Sequence, residues 1–291
     1  MKRYVSLLLV IMFVVAGFCG CISANKYSTV TIANSDEITE GIRNAMLNRT
    51  ESFKVTFSAY TLDEDGIFFL VDNFMDNAFY DSEMPNAGDY LRYQYGGYTL
   101  THKEEKGLLK YKYTLRITPS YYTDIEEESV VNEIIAQAIK ESGLSNNSSD
   151  IEKIEWVHDF ICNTVSYDTV HKHTPGSGHV QSTAYSALYY HTALCQGYAV
   201  LCYRLLKELG IDNRIVTGTA TVQDNVDRHA WNIVKINDCY YNLDVTMDDV
   251  NSSNKYFLKT DEIFSADHTR DDKFLSADFY ENYPMAKENY L

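Results

Sequence analysis

The chain runs to 291 residues, 45% apolar and 23% charged, with 14 Gly and only 4 Pro. Those proportions exclude a disordered tail, a collagen-like repeat and a multi-pass membrane protein, and the length suffices for one large or two smaller domains with a real core. Twenty-five Lys and Arg against 41 Asp and Glu leave a formal charge of −16, a surface that repels phosphate backbones and argues against a nucleic-acid partner.

Lys2 and Arg3 precede an apolar run from Val5 to Phe18, shorter than the roughly 20 residues a spanning helix needs and of the length of a secretory signal. The run ends at Phe18-Cys19-Gly20-Cys21, ahead of the polar Ser23-Ala24-Asn25-Lys26. A small residue directly before a cysteine in that position resembles the bacterial lipobox. The resemblance makes residues 1–20 a signal peptide and Cys21 the lipidated first residue of an exported protein on the outer face of the cell membrane. An ordinary cleaved signal on a secreted protein, or an uncleaved anchor, is the alternative. Beyond this run no apolar stretch is long enough to span.

A small α+β region is expected over residues 27–122. Ser35 is a candidate N-cap for a helix over 36–48, with Ile38, Ile42, Ala45 and Met46 at helical spacing. Residues 52–60 alternate as a strand. Residues 66–79 are apolar at helical spacing (Phe69, Leu70, Phe74, Met75, Ala78), and 90–95 and 108–118 alternate in period two, with Gly96-Gly97 as turn residues. Nothing here carries a recognisable chemistry. A helix follows over 125–142, with Val130, Ile134, Ile135, Ala138 and Ile139 on one face and Gly143 as its stop. After the polar linker 144–149, a second helix starts near Asp150 and places Ile154, Val157, Phe160 and Ile161 on one face. Cys162 lies on that helix and reads as a buried, unreactive thiol.

Three later segments carry chemistry together. Ala193-Leu194-Cys195-Gln196-Gly197-Tyr198-Ala199 leads into a helical pattern that ends at Gly210. Cys195 therefore stands at a helix start, where unpaired N–H groups and the positive end of the dipole favour a thiolate over a thiol of ordinary pKa about 8.5. Cys202, two turns further in on the apolar face, reads as core. Arg228 to Val234 and Tyr240 to Thr246 read as two strands joined at Asn237-Asp238. A tight turn there sets Ile236 against Cys239 and Asp244 opposite Trp231, on the face shared by His229 and Trp231. Val234, Ile236, Leu243 and Val245 then collect on the opposite face as core, a sorting that a one-residue slip would destroy. Thiolate, imidazole and orienting carboxylate are the parts of a nucleophilic acyl-transfer site.

The segments Cys195-Gln196-Gly197-Tyr198-Ala199, His229-Ala230-Trp231-Asn232 and Asp244-Val245-Thr246 with Asp248-Asp249 closely resemble the bacterial transglutaminase-like superfamily. So do Val165-Ser166-Tyr167-Asp168, Ala184-Tyr185-Ser186-Ala187-Leu188 and Tyr256-Phe257-Leu258 with Asp261, and the likeness spans about 125 to 268. It implies an α+β fold with a papain-like core, a Cys-bearing helix packed on an antiparallel sheet, over 125–275, and leaves 276–291 as a C-terminal tail. It also implies a papain-like triad at Cys195, His229 and Asp244, acting on protein or peptide amide bonds without a cofactor. Met247 departs from the family, which commonly has Trp there. The Cys195 N–H is a natural oxyanion donor; Gln181, Tyr185 and Trp231 are further cleft candidates.

The other readings are weaker. His171, His173 and His179 sit in a Pro-Gly-Ser-Gly loop after His158, without a zinc-ligand spacing, so no metal is expected. Cys162, Cys195, Cys202 and Cys239 allow three disulfide pairings, but their contexts do not form a framework. The acyl acceptor, water or an amine, is open, and a non-catalytic surface module binding peptide or cell-wall material in the same cleft is the rival class.

Overall fold

The computed structural model describes residues 29–32, 37–80, 83–171, 179–222 and 225–290. The expected signal segment, Cys21, Ser35 and His173 lie outside the described residues.

The first half builds a four-stranded sheet in the order β1-β2-β4-β3, from β1 (Thr29–Ile32), β2 (Ser52–Ala59), β3 (Tyr95–Lys106) and β4 (Tyr111–Tyr121). Helices α1 (Ile38–Leu47) and α2 (Glu64–Ala78) share its core. In α1 the four apolar positions read from the sequence, Ile38, Ile42, Ala45 and Met46, are the buried ones. In α2 the burial is rotated: Ile67, Val71, Met75 and Ala78 are inside, and Phe69 is 71% exposed. The run 66–79 is apolar on more than one side, so spacing alone does not select the buried stripe.

Residues 90–95 are not a strand. Asp89–Arg92 form a one-turn helix, α3, before β3 begins. Gly96-Gly97 do not turn the chain either. They lie inside β3 at a register shift between Tyr95 and Tyr98, with Gly97 at φ +106. Glycine there accommodates a bulge.

The second half begins with α4 (Ile125–Glu141) and α5 (Asp150–Thr164), each opened by a reciprocal capping box, from Asp124 with Glu127 and from Ser149 with Glu152. In α4 the buried positions are Glu128, Val131 and Ile135, and Ile134 and Ile139 are half-buried. After β5 (Ser166–Tyr167), one turn of 3-10 helix (Val180–Ser182), one of π-helix (Ser186–Tyr190) and β6 (Thr192–Ala193), the central helix α6 runs from Cys195 to Glu208. An antiparallel sheet follows in the order β10-β7-β8-β9, from β7 (Asn213–Val222), β8 (Asn225–Ile236), β9 (Cys239–Leu243) and β10 (His268–Arg270). Helix α6 and the face bearing Ile215, Val234, Ile236 and Leu243 form one core; Val216, Trp231, Ile233 and Tyr240 face a second.

Two short helices, α7 (Val245–Asn251) and α8 (Asp261–Phe264), close that second core. Of the expected tail 276–291, the described residues 276–290 pack: α9 (Ala277–Asn282) buries Phe279, and Tyr240 N–H donates to the Pro284 carbonyl at 2.8 Å beside β9. The apolar Phe279, Tyr283 and Met285 explain the docking, since together they cover the outer edge of the sheet.

The halves meet at buried polar groups. Asp89 of α3 pairs with Arg214 of β7 through both carboxylate oxygens (2.7 and 3.0 Å) and accepts the Ile215 N–H. Glu128 of α4 takes Arg49 at 2.7 Å, Tyr90 OH, Gln94 and Thr123. Tyr90 itself is fully buried in the second-half core. No helix among the described residues is long and apolar enough to cross a membrane.

Candidate active site

Cys195 is the first residue of α6. Leu194 precedes it in extended conformation, with its N–H donating to the Gln181 carbonyl at 2.8 Å. The 3-10 turn at 180–182 therefore lies against the helix start. Gly197 makes that approach possible: a Cβ there would stand 2.7 Å from the Gln181 carbonyl oxygen and 2.8 Å from the Ala193 Cβ. The Cys-Gln-Gly order thus has a steric cause as well as a chemical one.

His229 lies on β8 in the register the sequence predicts. Ile236 opposes Cys239 and Asn232 opposes Leu243, which carries Asp244 to the level of Trp231. Asn237 takes the left-handed conformation at φ +55 that lets the two-residue turn close. Val234, Ile236, Leu243 and Val245 are all buried in the α6-facing core, as the sorting requires.

The segment 244–246 is not strand, however. β9 ends at Leu243, and Asp244 caps α7, its Oδ1 accepting the Met247 N–H at 3.0 Å. Aspartate is a favoured N-cap because its short side chain satisfies an orphan N–H of the first turn. The second oxygen, Oδ2, meets His229 Nε2 at 2.6 Å. Asp244 is fully buried and both of its oxygens are engaged. With Nε2 committed to Asp244, Nδ1 remains for the sulfur, and Cys195 stands near enough to His229 and the Ala230 N–H for both to favour its thiolate.

The electrostatics follow from these contacts. Burial pushes the Cys195 thiol up, but the His229 hydrogen bond and charge, with the Ala230 N–H, outweigh it and bring the thiol below its ordinary value. Burial opposes charge on His229, yet the Asp244 carboxylate and the sulfur push it up to about 10. Asp244 is buried too, and the two histidines facing it hold its carboxyl well below the usual carboxylate range. The arrangement favours a thiolate–imidazolium pair. Cys202, fully buried, is pushed the other way by desolvation and is a core thiol.

Two residues to which sequence reasoning assigned no role stand at this centre. His268, on β10, places Nε2 at 3.1 Å from Asp244 Oδ2 and Nδ1 at 2.7 Å from Asp267 Oδ1. Nothing in its local sequence signals this, because the contact joins the far edge strand to the end of β9. Tyr167 of β5 lies near enough to Cys195 and Asp244 that burial and their negative charges keep its phenol protonated. The motif Val165-Ser166-Tyr167-Asp168 was its only signal.

The other cleft candidates fare differently. Trp231 is buried beside His229, its ring stacked near the imidazole at 6.2 Å and its Nε1 donating to Asn242 Oδ1. Gln181 touches the start of α6 through its backbone carbonyl, and its side-chain oxygen is buried without a partner. Tyr185 instead stacks on Tyr189 at 5.0 Å and meets Tyr190 edge-on; none of its described contacts reaches Cys195.

The described loop histidines, His171 and His179, have separate partners. His171 pairs with Asp168 at 2.8 Å, and His179 stacks on Tyr122. His158 lies buried between Asp248 and Asp159; burial opposes its charge, but Asp248, the Cys162 sulfur and Asp159 raise it to about 10. Cys162 is only half-buried: it packs at the margin of the α6 core, with its Sγ 3.9 Å from His158 Nε2 and 4.0 Å from the Val245 carbonyl at the start of α7. Among the described residues, His229, Asp244 and His268 form the one group of three whose ligand-type atoms all lie within 4.8 Å of one another. Their 2.6 Å contact is a hydrogen-bond length, whereas two ligands on a tetrahedral zinc with bonds of about 2.0 Å stand roughly 3.3 Å apart.

A helix-borne thiol facing a histidine–aspartate pair on an antiparallel sheet defines a papain-like α+β architecture. Residues 137–245 match the family model described as the transglutaminase-like superfamily, so that segment is a transglutaminase-like domain. Among solved structures, a TGase is 16% identical over 75% of this chain and 59% of its own, with TM-score 0.37. A candidate cysteine protease from Cytophaga hutchinsonii is 17% identical over 60% of this chain and 69% of its own, with TM-score 0.35. The periplasmic domain of TgpA from Pseudomonas aeruginosa is 12% identical over 50% and 57%, with TM-score 0.30. The chain thus spans about three fifths of the TGase structure's length. No curated protein matches it.

Proposed function

We propose that the protein is an exported thiol enzyme that transfers acyl groups from protein or peptide amides through Cys195, His229 and Asp244. The observation that carries this is the 2.6 Å bond from His229 Nε2 to buried Asp244, which leaves the other ring nitrogen for a sulfur at a helix start. The Cys195 thiolate attacks the amide carbonyl and the carbonyl π electrons move onto oxygen. As that oxygen returns to a carbonyl, the C–N bond breaks and the amine leaves with a proton from His229, giving a thioester. Water or a second amine then attacks the thioester, His229 takes its proton, and the thiolate departs. Asp244 orients His229 and stabilises its cation throughout. The Cys195 N–H and the side-chain amide of Gln181 are the donors assigned to the oxyanion. Export, and a lipid anchor at Cys21, rest on the sequence of residues 1–26.

The test is to trap the acyl-enzyme. Incubation with a peptide library should add a substrate-derived acyl mass at Cys195, absent in Cys195→Ala, and chase with water or a primary amine identifies the acceptor by mass spectrometry. A chain that binds peptides reversibly, with all four described cysteines alkylated slowly and alike, would instead be the non-catalytic surface module.

A further inference from the structure

Resting on that reading of the site, we propose that His268 is a positioning residue of the same centre. It fixes the Asp244 carboxylate, which in turn aims His229 at Cys195.

Asp244 has two jobs and one side chain. Its Oδ1 is held by the Met247 N–H, and its Oδ2 lies 2.6 Å from His229 and 3.1 Å from His268. An ionised carboxylate offers about four lone-pair sites. In a fully buried position, a site left without a donor costs free energy and lets the group swing toward whatever donor remains. With His268 in place, Oδ2 is gripped from two directions, and the direction left to His229 is set.

His268 can do this because its own placement is overdetermined. Its Nδ1 meets Asp267 Oδ1 at 2.7 Å, and Asp267 Oδ2 is held by Lys255 Nζ and Tyr256 OH, each at 2.8 Å. Its ring lies 4.0 Å from Phe264 and edge-on to Trp231 and Tyr256, centroid to centroid 5.2 and 5.3 Å. Trp231 also flanks His229, so one indole walls both imidazoles. A cage so aromatic would accept phenylalanine or leucine if packing were its whole purpose. Instead both ring nitrogens face carboxylates, one of them the residue that orients the general base. Partners of this kind, one contact removed from the reacting atoms, carry large effects when lost.

The experiment measures iodoacetamide labelling of Cys195 from pH 5 to 10, with thermal melting alongside, for the wild type, His268→Leu, His268→Gln, Asp267→Asn and His229→Ala. Leucine fills the cage without a donor; glutamine places an amide N–H toward Asp244 where Nε2 stands. His268→Leu is expected to slow labelling at pH 6.5 by at least about tenfold and to move its onset toward the free-thiol value of about 8.5. His268→Gln should recover to within about threefold of wild type even if its melting temperature stays low. Asp267→Asn, which weakens the far side of His268 along with the Lys255 pair and leaves the Nε2–Asp244 contact in place, should shift the profile the same way by a smaller amount, and it carries the test should His268→Leu not fold. Wild-type profiles in His268→Leu and Asp267→Asn would overturn the proposal. So would losses in Leu and Gln that merely track melting temperature, or one equivalent of tightly held transition metal per chain that disappears in His268→Leu. Failure of the triad reading itself is told apart by the controls: the wild type would then show no labelling below about pH 8.5, and His229→Ala would change nothing.

Discussion

At the scale of single residues, Asp244 is where two ordinary interpretations coincide. An aspartate after a strand is usually a helix cap, and in a triad it orients a histidine; here one oxygen does each. Asp244→Ala should therefore cost stability as well as chemistry, about 2–4 kcal/mol from the lost cap and the two histidine Nε2 atoms left without their carboxylate, read by urea denaturation. The pair also makes stability depend on pH. His229 is raised from 6.5 to about 10, so its stabilising share is complete below pH 6.5 and fades as pH rises toward 10. Asp244 is depressed, so its share is complete above its unfolded value of about 3.9 and fades in acid. The melting-temperature gap between wild type and His229→Ala should be widest between about pH 4 and 6.5 and narrow on either side. Cys195 should be alkylated selectively well below pH 8.5, with His229→Ala abolishing that advantage.

At the scale of elements, the site depends on two close approaches that a sequence pattern does not announce. Gly197 lets the turn at 180–182 touch α6, and Gly218 lets β10 lie on β7, since a Cβ there would stand 2.0 Å from the Thr269 carbonyl oxygen. Gly197→Ala should lower stability by about 1–3 kcal/mol despite alanine's better helix propensity. It should also slow Cys195 labelling, because the displaced backbone is the one that seats the thiol. Readings at this scale succeeded where one physical constraint dominated. The β8–β9 register came out right because only one alignment puts Val234, Ile236, Leu243 and Val245 inside together. They failed where patterns were ambiguous: α2 has apolar residues on several faces, and Tyr90 to Tyr95 alternates yet begins in α3.

At the scale of the whole molecule, the halves are joined through buried charge. Asp89→Ala leaves Arg214 without its carboxylate partner in a largely buried seam and should cost about 3–5 kcal/mol in chemical denaturation. A fragment of residues 125–291 should fail to give a cooperative melt followed by circular dichroism. Tyr90 would be missing from its core, and Glu128 would lose Arg49 and Tyr90. The first half, which offered no chemistry to sequence reading, thereby acquires a role as structural support. Gln196, next to Cys195, shows the same dependence: its amide donates to the Tyr93 carbonyl at 2.7 Å.

What the amino-acid order determined by itself was local and periodic: the helix start that carries Cys195, the turn at Asn237-Asp238 and the faces of β8 and β9. From these, thiol, imidazole and carboxylate were already a set, because strand pairing has period two and a tight turn leaves one register that buries the apolar side chains. The tertiary structure alone decided what surrounds that set. His268 reaches Asp244 from an edge strand, Tyr167 approaches from β5, and Asp89 anchors β7 across 125 positions of chain. Such contacts join short-range polar groups brought together by packing of distant segments, and neither period nor spacing in a linear sequence encodes which of many buried donors and acceptors will meet.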